Sequence, residues 1–202
     1  MRYEEFVRKI MEEFTGDGRN KGMEFPGVDL YVDQAASFLN SKLASFDADN
    51  KDEIITKGMI SNYTKHGIIP RPVDKKYSRE HLLFLNMVYY LKGMFQMNEI
   101  QRLMKPMIKN YNSEFDEKID LMAVCQIIEE LQNSERKDTE KKLWEDIERL
   151  KAELGENGMW DDDLLEIFMI IMILAIRADA QKYLAKRLLN EYFPKQEGKR
   201  KE

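Results

Sequence analysis

Residues 55–82 read ITKGMISNYTKHGIIPRPVDKKYSREHL. Thr56 is a helix cap, because its side-chain oxygen can accept from the free N–H groups of a first turn. Met59, Ile60 and Tyr63 follow at helical spacing and face inward. Gly67 stops that helix as the residue just past its end, and Pro70 and Pro72 forbid its return. Residues 71–76 are therefore extended or a tight hairpin. Ser78 caps the next helix, expected over 79–93, with Leu82, Leu85, Val88 and Tyr89 on its inner stripe. Short helix, glycine stop, basic proline-bounded segment and capped helix stand in the order of a helix-turn-helix followed by a wing.

Working outward, Phe6, Ile10, Met11 and Phe14 place a helix over 3–14. Residues 15–27 hold four glycines and a proline and are expected to form a loop. A helix over 30–46 follows, with Asp29 as N-cap and Leu30, Ala35, Phe38, Leu39 and Leu43 as its apolar face. Residues 47–53 form an acidic loop. Past the central stretch, helices are expected over 98–107, 116–133, 138–154 and 161–192. Leu143, Ile147, Leu150 and Leu154 form the core stripe of the third of these. The fold class is all-α, mainly helical: a winged helix-turn-helix with a small β wing, then a helical bundle or dimerisation unit. The domains are an N-terminal helix and flexible loop (1–23), the winged module (24–110), an acidic helical domain (111–193) and a disordered tail (194–202).

Composition narrows the function. A single cysteine, Cys125, excludes a disulfide framework and any multi-thiolate metal site. The longest apolar run, 167–176, is half of what a membrane span needs, and the N-terminus lacks the apolar core of a signal peptide. A cytoplasmic protein with no membrane partner is expected. The net charge of −5 hides a sign split. Residues 54–105 carry nine bases and three acids, whereas the segments on either side are net negative. A local basic block is the footprint of a polyanion partner.

The same residues carry a family resemblance. Tyr63, Gly67, Ile68 and Pro70, then Lys75, Tyr77 and Ser78, resemble the pattern of MerR-type winged helices. Phe95, Ile100 and Leu103 resemble that family's short helix after the long one. The strings Leu30-Tyr31-Val32-Asp33-Gln34, Met59-Ile60-Ser61-Asn62-Tyr63 and Lys76-Tyr77-Ser78-Arg79-Glu80-His81 are more closely similar to domain of unknown function eighteen thirty-six. That bacterial family is related to MerR-type domains, and the resemblance spans 24–110. It implies DNA binding through the short helix and the wing. One departure matters: Ser61 and Asn62 stand where MerR proteins have Arg-Tyr. A phosphate-gripping arginine is lost, and its role passes to Lys57, Lys65 or the wing.

The expected DNA-binding set is Lys57, Gly58, Ser61, Asn62, Lys65, Arg71, Lys75, Lys76 and Tyr77. Lys57 and the helix N-terminus suit a phosphate, and Gly58 admits close backbone approach. Asn62 suits a bidentate contact to adenine. The lysines and Arg71 suit phosphates, as does the Tyr77 hydroxyl. Tyr77 equally suits a hinge packed on helix 79–93. His66 and His81 read as exposed surface residues, and Cys125 as a buried small hydrophobe. Residues 47–58 fail as a calcium loop on three counts: Lys51 at a ligand position, Asp52 in place of the turn glycine and Gly58 in place of the final glutamate. Residues 16–22 lack a phosphate-binding Gly-Lys-Ser/Thr, and Asp161, Asp162 and Asp163 complement a helix dipole. No catalytic residue, metal or cofactor is expected, and the chain reads as no enzyme.

The expected function is a DNA-binding transcriptional regulator. Its partner is double-stranded DNA, and it would form a homodimer through the C-terminal helices. The alternatives are a protein-interaction adaptor that keeps the fold without DNA contacts, or a sensor of a small apolar effector. Residues 164–176 are apolar on every side, so that helix is expected to be surrounded, within a bundle or against a second subunit.

Overall fold

The computed structural model describes residues 3–16, 24–43, 54–113, 119–156 and 163–195. The loop expected at 47–53, the calcium-loop and glycine-run residues at 47–53 and 17–22, Asp161, Asp162 and tail residues 196–202 lie outside these. The order is α1 (Tyr3–Thr15), β1 (Leu30–Tyr31), α2 (Val32–Leu43), α3 (Lys57–Lys65), β2 (Lys76–Tyr77), α4 (Arg79–Lys92), α5 (Met97–Tyr111), α6 (Leu121–Glu156) and α7 (Asp163–Tyr192). The chain is mostly helical, as expected. Among the described residues no helix is long and apolar enough to cross a membrane. Two compact units divide the chain, one of residues within 1–21 and 128–184, the other within 22–127 and 185–202.

Four expectations need correction. Leu30 and Tyr31 do not open a helix; they form β1, pairing antiparallel with Tyr77 and Lys76 of β2. Helix α5 runs on to Tyr111 with Pro106 inside it. The two helices expected over 116–133 and 138–154 are one, α6, of 36 residues. Its polar middle, residues 133–138, contains neither Gly nor Pro, so nothing there breaks a helix. Its first turn is held by Asp120, whose carboxylate accepts from the Met122 and Ala123 N–H groups at 2.9 and 3.1 Å. Finally, α1 turns Tyr3, Val7 and Met11 inward, while Phe6 and Ile10 face solvent.

The first unit packs α1 on residues of α6 and α7. Leu143, Ile147, Leu150 and Leu154 meet Ile170, with Tyr3, Val7, Met11, Leu165 and Met169 around them. Polar links frame this core. The Tyr3 hydroxyl donates to Glu166, Lys151 pairs with Glu4, and Arg177 pairs with the buried Asp146 carboxylate. The Arg136 guanidinium lies over the Phe14 ring at 5.6 Å. Within one chain helix α7 is not surrounded by a bundle. Ile170 is buried, but Leu164, Phe168, Ile171 and Ile176 are exposed.

The second unit is built round α4, in which residues 81–88 are all buried. Full burial of a Leu or Phe side chain contributes about 1.5–3 kcal/mol, so this run anchors the unit. Helices α2, α3 and α5 supply Leu39, Ile60, Ile100 and Met104 to the core. Arg102 of α5 donates to the Phe193 and Leu189 carbonyls at 2.6 and 3.3 Å, and so closes the C-terminal end of α7.

Candidate nucleic-acid interface

Helix α3 is nine residues long and holds no acid. Thr56 caps it, Oγ1 accepting from the Met59 N–H at 3.1 Å. Ile60 and Tyr63 bury its inner face, and burial pushes the Tyr63 phenol above its ordinary range. At its end Gly67 takes the left-handed conformation, φ +62°. The Gly67 and Ile68 N–H groups then return to the Thr64 and Tyr63 carbonyls at 3.1 and 2.9 Å. This double closure needs a residue without a Cβ penalty, which is why the glycine stop was legible in sequence.

Long-range bonds pin α3 at both ends. Asn40 of α2 donates to the Ile55 carbonyl at 2.8 Å and accepts from the Ile55 N–H at 2.9 Å. Lys92 of α4 donates to the Ile54 carbonyl at 2.7 Å. Gln101 of α5 donates to the His66 carbonyl. The helix is thus held by its flanks, and its outer face is left to solvent.

That face presents Lys57, Gly58, Ser61, Asn62 and Lys65, all exposed. A Cβ on Gly58 would meet only Thr56 Oγ1, at 3.7 Å, so no contact within the protein demands glycine there. Lys57 pairs with Asp33. Both groups are well solvated, so this pair is worth about 0–1 kcal/mol.

Beyond α3 the chain makes a hairpin. Lys76 N–H donates to the Val73 carbonyl at 2.8 Å across Asp74 and Lys75. Both turn residues are left-handed, at φ +48° and +62°, the two-residue turn that matches strand twist. Arg71, Lys75 and Lys76 are exposed on it, with Lys76 Nζ over the Tyr31 ring at 5.6 Å. Tyr77 departs from the expected set. It is 5 % exposed and lies edge-on to His81, so it packs on α4, as the alternative reading of it has it.

His81 is corrected too: it is buried, not on the surface. Its Nδ1 accepts from the Ser78 N–H at 3.1 Å, and its Nε2 lies 3.1 Å from the Arg71 carbonyl, to which it donates. One neutral imidazole thereby closes the N-terminus of α4 and ties down the base of the hairpin. Burial pushes it below the ordinary histidine range, against the Arg71 carbonyl, Glu80 and Asp29, which raise it. The folded state therefore binds fewer protons than the unfolded one. Its contribution to stability is complete above about pH 6.5 and is lost as pH falls below that value. Thermal melts should show Tm declining through this window, and His81→Gln should flatten the decline. An unchanged slope in the variant would remove His81 from the account.

Cys125 is buried, as expected, with Sγ 3.9 Å from the Leu83 carbonyl. An open cavity of about 640 Å³ borders Gly67 and is lined by Gln101, Arg102, Lys105, Tyr192 and Phe193. Among the described residues no three His, Cys, Asp or Glu side chains gather as a metal site.

The sequence model of one protein family, described as Domain of unknown function (DUF1836), matches residues 20–124. The chain belongs to this family. The DUF1836 segment contains α2 to α5, the hairpin and every residue of the exposed basic set. No curated protein and no solved structure matches the chain. Within DUF1836 the residues that sequence reasoning missed are Asn40, His81, Lys92 and Asp33. Only His81 had a local signal: Ser78 and His81 stand at the N-cap and N3 positions of a capping box.

Proposed function

We propose that this DUF1836 protein is a DNA-binding transcriptional regulator, a MerR-like winged helix-turn-helix in which α3 reads the major groove and the 73–76 hairpin is the wing. The observation that carries this reading is the acid-free outer face of α3 beside a hairpin that exposes Arg71, Lys75 and Lys76 around a single acid, Asp74. The Lys75 backbone favours it further. A lysine in left-handed conformation costs about 1 kcal/mol relative to glycine, and nothing in the fold needs a charge at a hairpin tip. A phosphate does. Lys75→Gly should therefore raise stability by about 1 kcal/mol while weakening DNA binding; a variant with unaltered affinity removes the tip from the interface.

Binding here rests on phosphates, with limited base readout. Lys57, Lys65, Arg71, Lys75 and Lys76 would each meet a phosphate, and Asn62 would discriminate adenine by about 1–3 kcal/mol. If all five meet phosphates, log affinity falls against log salt with a slope of about −4 to −5 per protomer. Lys65→Glu should abolish binding. The test is selection of genomic fragments by the purified protein, followed by a salt titration on the selected DNA. No retained fragment at low salt would sink the reading. A homodimer through the C-terminal helices would double these contacts on a palindrome.

Two observations favour a second reading, a protein-interaction adaptor. Lys57 is already engaged by Asp33, and Ser61 and Asn62 stand where MerR proteins have Arg-Tyr. The same selection separates the two.

A further inference from the structure

The exposed side of α7 has a geometry of its own. Leu164, Phe168, Ile171, Ala175, Ala178 and Lys182 follow at spacings of four, three, four, three and four. At 100° per residue they fall within about 40° of one line along the helix. Glu166, Ile170 and Arg177, which meet Tyr3, the unit's core and Asp146, lie on the opposite side. Leu164 is 77 % exposed, Phe168 56 % and Ile171 58 %. Met172 and Ile176 widen the stripe on one flank and Leu174 on the other. Six large apolar side chains are exposed within 13 residues, three of them on the central line and three on its flanks, more than the scattered exposure of a monomer surface.

We propose that this seam pairs with the same seam of a second copy of the chain, antiparallel about a two-fold axis centred near Ile173. Size complementarity selects this occupant. In that register Phe168 stands opposite the partner's Ala178, and Ile171 opposite the partner's Ala175. Large side chains meet small ones at both of these positions on the central line, which is how facing helix layers interdigitate, while Met172 and the partner's Leu174 come level on the flanks. Charge selects it as well. Lys182 comes beside the partner's Leu164, within reach of the partner's Asp163, and each of these pairs occurs twice by symmetry. Asp163 and Lys182 are both exposed. A parallel pair would set Phe168 on Phe168, Ala175 on Ala175 and Lys182 on Lys182, with gaps and like charges in register. The spacing of three and four is also that of a two-helix seam.

This inference rests on the dimer within the proposed function and not on its DNA contacts, so its test contains no DNA. The full chain at micromolar concentration should run in light scattering at twice its 24.0 kDa mass. Phe168→Glu should raise the dimer dissociation constant about 100-fold, as loss of a central aromatic anchor does. Phe168 is more than half exposed, so helical circular dichroism should persist. The pair Phe168→Cys with Ala178→Cys should cross-link two chains under mild oxidation, and Phe168→Cys alone should not. That readout stands even if the glutamate variant fails to fold. A monomer at micromolar concentration overturns the proposal, whether or not it binds lipid vesicles. So does cross-linking by Phe168→Cys alone, which marks a parallel pair. DNA binding by such a monomer would leave the regulator reading intact.

Discussion

Arg177→Met should destabilise the protein by about 3 kcal/mol. Asp146 lies on α6 with its side chain 3 % exposed, and Arg177 of α7 is its ion-pair partner. Burial of a lone carboxylate is expensive because neither water nor a cation compensates the charge, and breaking such a pair costs about 3–5 kcal/mol. The lower end applies because Arg177 is itself about one-third exposed. The converse change separates charge from packing. Arg177→Met combined with Asp146→Leu should recover most of the loss, since an apolar pair of similar volume needs no compensation. Urea unfolding midpoints at constant slope would report both. A single variant as stable as the parent would mean that Asp146 is hydrated.

Asn40→Ala should cost about 2–4 kcal/mol and should also weaken DNA binding. The Asn40 amide makes both bonds of the Ile55 backbone, donating to its carbonyl and accepting from its N–H. Ile55 is 1 % exposed, so neither group can turn to water instead. Each buried group left unpaired costs about 1–3 kcal/mol. Asn40→Asp keeps the acceptor and should lose roughly half as much. Ile55 immediately precedes the cap of α3, so its release loosens the helix proposed to read DNA. Affinity should fall although Asn40 belongs to α2 and is no part of the exposed basic set. Full affinity with lowered stability would show that α3 keeps its place without this bridge.

Sequence reasoning succeeded where the determining chemistry is local. Thr56, Gly67 and Ser78 act on backbone groups within a few residues, so α3 and the start of α4 are legible from spacing alone. The Leu143 to Leu154 stripe is legible for the same reason. Strand β1 was not, because Leu30 and Tyr31 are extended by pairing with residues nearly fifty positions later. The polar middle of α6 reads as a break only if polarity is mistaken for helix breaking. The burial of His81 depends on a carbonyl ten residues away. The exposure of the expected set was legible for every residue but Tyr77, since charged and amide side chains at helical spacing declare an outer face. Tyr77 is ambiguous by composition: its ring suits a core and its hydroxyl suits a phosphate. The engagement of Lys57 by Asp33 required the packing of α2 on α3.

The Arg102 clamp on the end of α7 bears on where this protein can be cut. Sequence similarity to the family ends at residue 124, but the compact unit that holds α3 also takes in residues from 185 onward. A fragment ending at 124 would lose Leu189, which is 1 % exposed, and both carbonyls that accept from Arg102. It would also lose Lys186, the partner of Glu99 at the start of α5. The stretch matched by the family model is thus shorter than the compact unit, which also takes in the last turns of α7.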